Sequence, residues 1–246
     1  MFIKKGSTIY TLPDYAVLNG LSLSIRSNVA AKLFQHGGLP SGDGKVDTRS
    51  IDIAVLVNGE NQSDYLSQVN DLKRYLSQSP YRLYVTDTQY FNIDILNKFK
   101  EDFISGFYMV KSNATATILA LDPFLYDEEE LSVSTTVTTS PQVFTINNPG
   151  NIDTPITITI TANALNSALS LINTSDNGRV FTYNDASFTS GKSLVISTWD
   201  GSVELNGANS INNFLGTFMN LLPGDNVFSY TGSACTITMD YLSRWL

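Results

Sequence analysis

The chain has 246 residues, of which 42% are hydrophobic and only 15% are charged, and its formal net charge is −8. This composition, with many Ser, Thr and Asn residues, favours β-sheets with polar outer faces over helices. The single cysteine, Cys235, and the single histidine, His36, exclude an intrachain disulfide, a Cys/His zinc cluster and a multi-His metal site.

The beginning of the sequence gives no sign of a secretory signal or a membrane anchor. Polar residues follow Met1-Phe2-Ile3 before any apolar run of the required length, and no run of about 18 apolar residues occurs anywhere. We therefore expect a soluble chain that is made in the cytoplasm and does not insert into a membrane.

Several segments of the first half alternate apolar and polar residues. In residues 49–57 the alternation places Ile51, Ile53, Val55 and Val57 on one sheet face, and the run stops at the turn pair Asn58-Gly59. We expect these four side chains to face a core. Strands are predicted at residues 20–26, 49–57, 81–85, 90–95, 107–110 and 113–121.

A glycine-rich segment, residues 35–45, separates the first two of these strands. Four glycines and Pro40 predict a long mobile loop without regular structure. The segment does not fit a phosphate-binding loop, because Leu39 and Val46 stand where that motif needs glycine and Ser or Thr.

One segment has the period of a helix. Its apolar residues recur at three- and four-residue spacing, with Asn61 or Ser63 available as the N-cap and Pro80 beyond the end. We expect this stripe to be buried on the domain's own sheet. Its members are Tyr65, Leu66, Val69, Leu72, Tyr75 and Leu76.

A domain boundary is predicted just after Asp122-Pro123-Phe124-Leu125-Tyr126, where an acidic cluster and a Ser/Thr-rich stretch, residues 132–140, follow. Residues 1–126 carry 12 Lys/Arg and 12 Asp/Glu, whereas residues 127–246 carry 3 and 11. We assign residues 1–130 and 131–246 to two domains. The acidic second half would repel phosphates, so we expect no direct nucleic-acid binding.

The second half contains short strand patterns separated by Pro, Gly, Asn and Asp turns. About seven strands at this spacing predict an antiparallel β-sandwich. The predicted strands are residues 143–146, 156–161, 180–183, 194–197, 203–205, 227–230 and 235–241.

The order of these features resembles the distal tail protein family of long-tailed phages. Besides the strand, turn and helix of the first half, the resemblance includes Asn148-Pro149-Gly150-Asn151, Leu222-Pro223-Gly224-Asp225-Asn226 and the terminal Arg244-Trp245-Leu246. The family implies a mainly β fold, with an N-terminal β-rich ring-forming domain that has one packed helix, and a C-terminal galectin-like antiparallel β-sandwich. The chain end can pack back on the first domain in this family.

The resemblance implies a structural virion protein without a cofactor. It would form a homohexameric hub at the distal end of the tail and connect the tail tube protein to the tail tip or baseplate, after assembly in the bacterial host cytoplasm. The glycine-rich segment, with His36, Gly37, Gly38, Asp43 and Lys45, is then a candidate for an oligomer interface or the lumen.

Two other functions remain open from the residues alone. Trp199 beside Asp200 suggests a carbohydrate contact, which would make the second domain a lectin-like module for host-surface glycans. Asp200 with Glu204 is the one local carboxylate set that suggests glycan hydrolysis, but an ordinary turn explains it as well, and we expect no enzyme.

Three further motifs have simpler structural readings. Asn173-Thr174-Ser175-Asp176-Asn177-Gly178 resembles the start of a calcium loop but lacks the charged ligands, so a hairpin turn is favoured. His36 has no identifiable catalytic partner. Cys235, in an alternating strand, is expected to be a small buried residue.

Overall fold

The computed structural model describes residues 1–13, 16–22, 25, 28–31, 38–41 and 45–246, and of residues 28–31 and 38–41 it describes the backbone alone. The chain divides into two compact units, Met1–Leu125 and Tyr126–Leu246. Both consist mainly of antiparallel strands, and the described residues contain one α-helix. The mainly β fold with one helix, predicted from the sequence, is confirmed.

The first unit contains two main sheets and the helix. The sheets have the strand orders β2-β1-β7-β8 and β3-β6-β10-β9, and β4 pairs with β5 in a separate hairpin. The elements are β1 (Phe2–Lys5), β2 (Thr8–Thr11), β3 (Ala16–Ser22), β4 (Asn28–Ala31), β5 (Gly38–Ser41), β6 (Arg49–Asn58), α1 (Gln62–Ser77), β7 (Tyr81–Tyr84), β8 (Gln89–Ile93), β9 (Ile95–Phe103) and β10 (Lys111–Ala120).

The core of this unit lies where α1 meets both sheets. Ile51, Ile53, Val55 and Val57 of β6 are all buried, as predicted from the alternation. The helix begins after the predicted N-cap Asn61, whose side chain accepts a hydrogen bond from the backbone N–H of Asp64 at 3.0 Å. The predicted helix and its attachment to the core are confirmed.

The helical stripe has one member that does not face the core. Tyr65, Val69, Leu72 and Leu76 are buried, and Tyr75 is half-buried with its ring stacked on another aromatic ring. Leu66 is 38% exposed, so its predicted burial is wrong. It follows directly after Tyr65, and the 100° rotation per residue turns its side chain away from the contact line.

One strand prediction in this unit is wrong. Residues 107–110 form turns between β9 and β10, whereas the preceding residues form the unpredicted strand β9. The sequence of β9, ILNKFKEDF, does not alternate clearly between apolar and polar residues, because charged residues occupy both faces of this largely exposed strand. In addition, the pairing of β9 with β10 shifts register between Thr117 and Ile118 of β10.

The glycine-rich segment is also more regular than predicted. Gly38–Ser41 forms β5, paired antiparallel with β4, because the ladder compensates the conformational freedom of Gly38. The prediction of a loop without regular structure is therefore wrong for these four residues. The other members of the segment, apart from Lys45, lie outside the described residues.

The second unit is a sandwich of two antiparallel sheets, with the strand orders β12-β22-β14-β17-β18-β19 and β13-β21-β15-β16-β20. The strands, after the short β11 (Leu125–Asp127) at the boundary of the units, are β12 (Leu131–Val137), β13 (Gln142–Asn148), β14 (Thr157–Ala162), β15 (Ala168–Asn173), β16 (Arg179–Asn184), β17 (Ser193–Ser197), β18 (Ser202–Leu205), β19 (Ala208–Asn209), β20 (Phe214–Gly216), β21 (Gly224–Thr231), β22 (Cys235–Tyr241) and β23 (Arg244–Trp245).

The buried side chains of both sheets form one core, so the predicted β-sandwich is confirmed. All seven predicted strands are present. The Ser/Thr-rich stretch, which marked the predicted domain boundary in the sequence, is in part the strand β12, which pairs with β22 from Leu131 to Val137. Ser and Thr alternate there on the solvated face of an outer strand, a pattern that composition alone does not distinguish from a linker.

The chain end contacts the beginning of the second unit. The Trp245 indole N–H donates to the Asp127 carboxylate at 3.1 Å, and the Leu246 N–H donates to the side chain of Asn151 at 2.7 Å. The Asn151 N–H in turn donates to the Arg244 carbonyl at 3.1 Å. The packing of these last residues on the first domain stays a prediction.

Candidate functional site

Trp199 and Asp200 lie in the turn that joins β17 to β18. Trp199 is 63% exposed and Asp200 is exposed too. One oxygen of Asp200 accepts hydrogen bonds from the N–H and the hydroxyl of Ser202, at 3.1 and 2.9 Å, and Gly201 takes the left-handed φ of 72° that closes the turn. The carboxylate therefore holds the turn that presents Trp199 to solvent.

This environment does not suit the proposed hydrolytic role of Asp200. Hydrogen bonds, first from the Ser197 side chain and then from Ser202, hold the pKa of the Asp200 carboxyl below its usual value. A general acid needs a raised pKa, which burial in an apolar pocket would supply. Glu204 is exposed on β18 and lies in no enclosed cleft with Asp200 that the structure describes. The geometry therefore fits a structural role of Asp200 in the turn better than a catalytic role in glycan hydrolysis.

A polar cleft of about 530 Å³ lies on the same unit, and sequence reasoning missed it. Asp185 at its wall accepts hydrogen bonds from the Asn213 amide at 2.9 Å and the Tyr183 hydroxyl at 3.2 Å. Hydrogen bonds from Ser187 are the main cause that lowers the pKa of the Asp185 carboxyl. Further wall residues are Lys192, Asn206, Asn209 and Ser210.

Such a wall of amide, hydroxyl and carboxylate groups suits a ligand rich in hydroxyl groups. These wall residues come from β19, from η1 (Ile211–Asn213, a 3-10 turn) and from the connections that follow β16, precede β17 and join β18 to β19. Asn and Ser residues between strands are typical of turns, so the sequence pattern indicated turns and not a cleft.

Of the candidate residues in the glycine-rich segment, the structure describes some, which have a place in the backbone pairing or precede it, and does not describe the others. His36, Gly37 and Asp43 lie outside the described residues, so their grouping with Gly38 and Lys45 stays a prediction. Gly38 pairs with Ala31 in the hairpin of β5 and β4. Lys45 is exposed and precedes the bridge between Val46 and Ile25.

The calcium-like sequence is a hairpin turn between β15 and β16, as predicted. The Asn173 amide donates to the Asn226 side chain at 3.2 Å, and Asp176 forms an ion pair with Arg179 at 2.8 Å. Cys235 is buried, as predicted, and burial raises the pKa of its thiol. In the part of the chain that the structure describes, no cluster of three or more His, Cys, Asp or Glu residues has a geometry suited to a metal ion.

The first unit exposes large apolar side chains at the edges of one sheet. Val17 and Leu21 are exposed on the edge strand β3, and Ile95 and Phe103 on the opposite edge strand β9. Edge strands present unpaired backbone groups, and apolar residues beside them favour pairing with another chain. No helix in the described residues is long and apolar enough to span a membrane.

Comparisons with known proteins point to one group. Residues 149–245 match the family model described as siphovirus-type tail component, C-terminal domain. The whole fold is similar to the crystal structure of the Dit protein (gp 19.1) of SPP1, described as a paradigm of the hub adsorption apparatus in phages that infect Gram-positive hosts. The TM-score is 0.75 at 14% sequence identity, and the match covers 100% of this chain and 99% of that one.

The comparison with curated proteins finds no match. At 14% identity the structural likeness shows a shared fold, and the family model adds a sequence relationship over the second unit. The resemblance to the phage distal tail protein family, predicted from the sequence, is confirmed by these two findings together.

Proposed function

We propose that this relative of the siphovirus-type tail components is a structural virion protein of the distal tail. Its copies form a hexameric ring, which connects the tail tube to the tail tip or baseplate. The observation that carries the proposal is the end-to-end likeness to a hub protein, which covers 100% of this chain and 99% of that one. The likeness therefore includes both units of this chain.

The surface of the first unit supports its role in self-association. The two edge strands of one sheet, β3 and β9, both expose large apolar side chains. A contact between two different edges of the same unit is heterologous, and such contacts close into rings when the rotation per subunit fits. Residues 1–126 carry 12 cationic and 12 acidic side chains, so like charge does not accumulate at repeated interfaces.

The second unit suits attachment to other tail proteins. It is a β-sandwich with a core of its own, and residues 127–246 carry 3 cationic and 11 acidic side chains. Under this proposal the tail tube and the tip proteins are the partners, and assembly takes place in the bacterial cytoplasm. The protein acts through binding and needs no cofactor.

The oligomeric state of the purified protein tests the ring. We expect a hexamer by light scattering and six-fold rings by negative-stain electron microscopy. Replacing Val17 and Leu21 together with Glu should shift the protein to monomers, because each charge would be buried at a subunit contact. Val143→Glu, at an exposed position of the second unit, is the matched control and should leave the rings intact. A wild-type protein that stays monomeric at all concentrations, even with its tail partners, contradicts the proposal.

A second candidate function is carbohydrate binding by the second unit. Two observations favour it: the exposed Trp199 ring, which offers a stacking face for a sugar, and the polar cleft beside Asp185. A glycan array would test it, with Trp199→Ala expected to weaken binding about tenfold, or about 1.4 kcal/mol. Leu215→Ala, which removes an equally exposed apolar side chain, is the control. The absence of binding to any glycan would remove this function.

A further inference from the structure

The polar cleft of the second unit and Trp199 lie at opposite ends of the hairpin formed by β17 and β18. Lys192 directly precedes β17 and Asn206 directly follows β18, whereas Trp199 lies in the turn between the two strands. The 5 residues of β17 separate the two ends by about 17 Å, at about 3.4 Å per residue. A single sugar ring therefore cannot contact both, and the cleft is a separate candidate site.

The Asp185 carboxylate at the wall of the cleft is already bound by neighbouring donors. One of its oxygens accepts from the Ser187 N–H at 2.8 Å, and the other accepts from the Tyr183 hydroxyl at 3.2 Å and the Asn213 amide at 2.9 Å. Asp185 therefore holds the wall in shape. Lys192 is the other charged residue of the described lining, so the lining carries one negative and one positive charge.

Two neighbouring side chains of the lining keep hydrogen-bond donors for a ligand. The backbone N–H of Ser193 donates to the Asn206 side chain at 3.2 Å. Because a backbone N–H can only donate, the atom that receives it is the amide oxygen, and the NH2 group of Asn206 stays available. The Lys192 ammonium donates to the Ser187 carbonyl at 2.7 Å and keeps two further N–H groups.

The lining also offers an acceptor and an apolar surface. The Asn213 amide donates to Asp185 at 2.9 Å and to the Ser210 hydroxyl at 3.1 Å. Its NH2 group is used in these bonds, so its oxygen is the atom that remains for a ligand. Leu205 and Ala208, the two apolar residues of the described lining, are register partners and lie on the same face of the hairpin of β18 and β19.

We propose that this cleft binds the acetamido group of an N-acetylated amino sugar. The acetamido carbonyl accepts from the Asn206 NH2 group and the Lys192 ammonium, its N–H donates to the Asn213 oxygen, and its methyl group packs against Leu205 and Ala208. The inference rests on the second candidate function, carbohydrate binding by the second unit. The cleft volume of about 530 Å³ lies within the range of about 300–1,000 Å³ typical of small-molecule sites.

The charges around the cleft favour this neutral group over a carboxylate or a phosphate. An anion in the cleft would meet the Asp185 carboxylate as well as the Lys192 ammonium. Residues 127–246 carry 3 cationic and 11 acidic side chains, so the surrounding unit repels anions. The ring hydroxyls of an amino sugar suit the remaining hydroxyl and amide groups of the lining, which belong to Ser187, Asn209 and Asn212.

Two disaccharides test the site on the full-length protein by calorimetric titration. Chitobiose carries acetamido groups where cellobiose carries hydroxyl groups, and we expect it to bind at least tenfold more tightly. Asn206→Asp keeps the oxygen that accepts from Ser193 but replaces the NH2 group with an acceptor, so it should weaken chitobiose binding at least tenfold. Lys192→Met removes the second donor and should weaken binding as well. Asn177→Asp adds the same charge in the exposed turn before β16 and should leave binding unchanged.

The outcomes separate this inference from the proposed functions. Equal binding of the two disaccharides, or unchanged chitobiose binding by Asn206→Asp, would overturn the inference while carbohydrate binding stands. Chitobiose binding that depends on Trp199 and not on Asn206 would place the sugar at the turn and overturn it too. Tighter binding of galacturonate or inorganic phosphate, lost in Lys192→Met, would identify an anion site instead. If no sugar binds, the inference and the second candidate function both fail, whereas ring formation tests the hub function independently. Circular dichroism verifies that each variant is folded.

Discussion

The hydroxyl of Tyr65 on α1 lies 2.9 Å from the hydroxyl of Ser112 on β10, and both residues are buried. The Tyr65 hydroxyl also lies 3.0 Å from a carboxylate oxygen of Glu101 on β9, which in turn forms an ion pair with Lys73 of the helix. These polar contacts fix the helix at one position on two neighbouring strands. Apolar packing alone would tolerate small shifts of the helix along the sheet.

Tyr65→Phe should therefore lower the free energy of unfolding by about 1–2 kcal/mol, because Ser112 loses a partner in a buried position. Chemical denaturation followed by circular dichroism measures the change. Tyr108→Phe removes a hydroxyl from an exposed ring and serves as the control. Equal stability of Tyr65→Phe and wild type would show that the hydroxyl contacts do not fix the helix.

Gly59→Ala should destabilise the first unit by about 1–3 kcal/mol, the usual cost of overpacking. A Cβ atom at Gly59 would lie 2.5 Å from the backbone nitrogen of Tyr65 and 2.7 Å from its Cα, and backbone atoms of a helix have little freedom to move. The melting temperature reports the loss. Gly20→Ala is the control, since the nearest atom there would be 3.7 Å away. An unchanged melting temperature for Gly59→Ala would contradict the close approach.

Asn226→Ala should cost about 2–3 kcal/mol in the second unit. The buried Asn226 side chain accepts from the Leu222 N–H at 2.9 Å and donates to the carbonyls of Leu222 and Gly224 at 2.8 and 3.0 Å. Its loss leaves these backbone groups without partners, and Asn173 loses its own. Asn212→Ala, at an exposed position, should change stability by less than about 0.5 kcal/mol. Denaturation that shows the two variants equally stable would refute this account.

Stability should fall at alkaline pH. Burial raises the pKa of the hydroxyls of Tyr81, Tyr230 and Tyr241 above the ordinary 10.0, and the pKa of the Cys235 thiol above 9.0. Because the folded state holds these protons more tightly, their contribution is fully present below pH 9 and is lost as the pH rises through the folded values. Urea unfolding from pH 7 to 11 should show a flat region and then a decline above about pH 9 to 10.

Tyr81→Phe provides the test of this cause. The variant should show a smaller decline above pH 10 than wild type, since it removes one group with a raised pKa. Its stability at pH 7 should be equal or higher, because the buried hydroxyl has no hydrogen-bond partner to lose. An identical pH profile for both proteins would mean that other groups govern the alkaline transition.

Two motifs that the sequence identified only as turns also make close tertiary contacts. Asn58-Gly59 was predicted as a turn, but Gly59 is needed because the backbone of Tyr65 packs against it. Asn148-Pro149-Gly150-Asn151 is likewise more than a turn. A Cβ at Gly150 would overlap the Arg244 carbonyl oxygen, and the Asn151 N–H donates to that same oxygen. Two distant motifs therefore form one contact.

Periodic burial is the part of the fold that the sequence determined by itself. Alternating residues in β6 and β14 and the three- and four-residue spacing in α1 report which side chains leave water, because burial of apolar area is the largest favourable term in folding. Charge counting and the order of turn motifs added the division into two halves and the resemblance to distal tail proteins. These features depend on the sequence alone, so they can be predicted without knowledge of the tertiary contacts.

Only the tertiary structure decided the features that depend on which groups meet. It turned the Ser/Thr-rich stretch into β12, gave the glycine-rich segment a paired strand, and exposed Leu66 beside a buried Tyr65. It also gathered the polar cleft of the second unit from several strands and turns. Strand pairing and side-chain juxtaposition are set by long-range contacts, whose partners no local pattern of residues encodes.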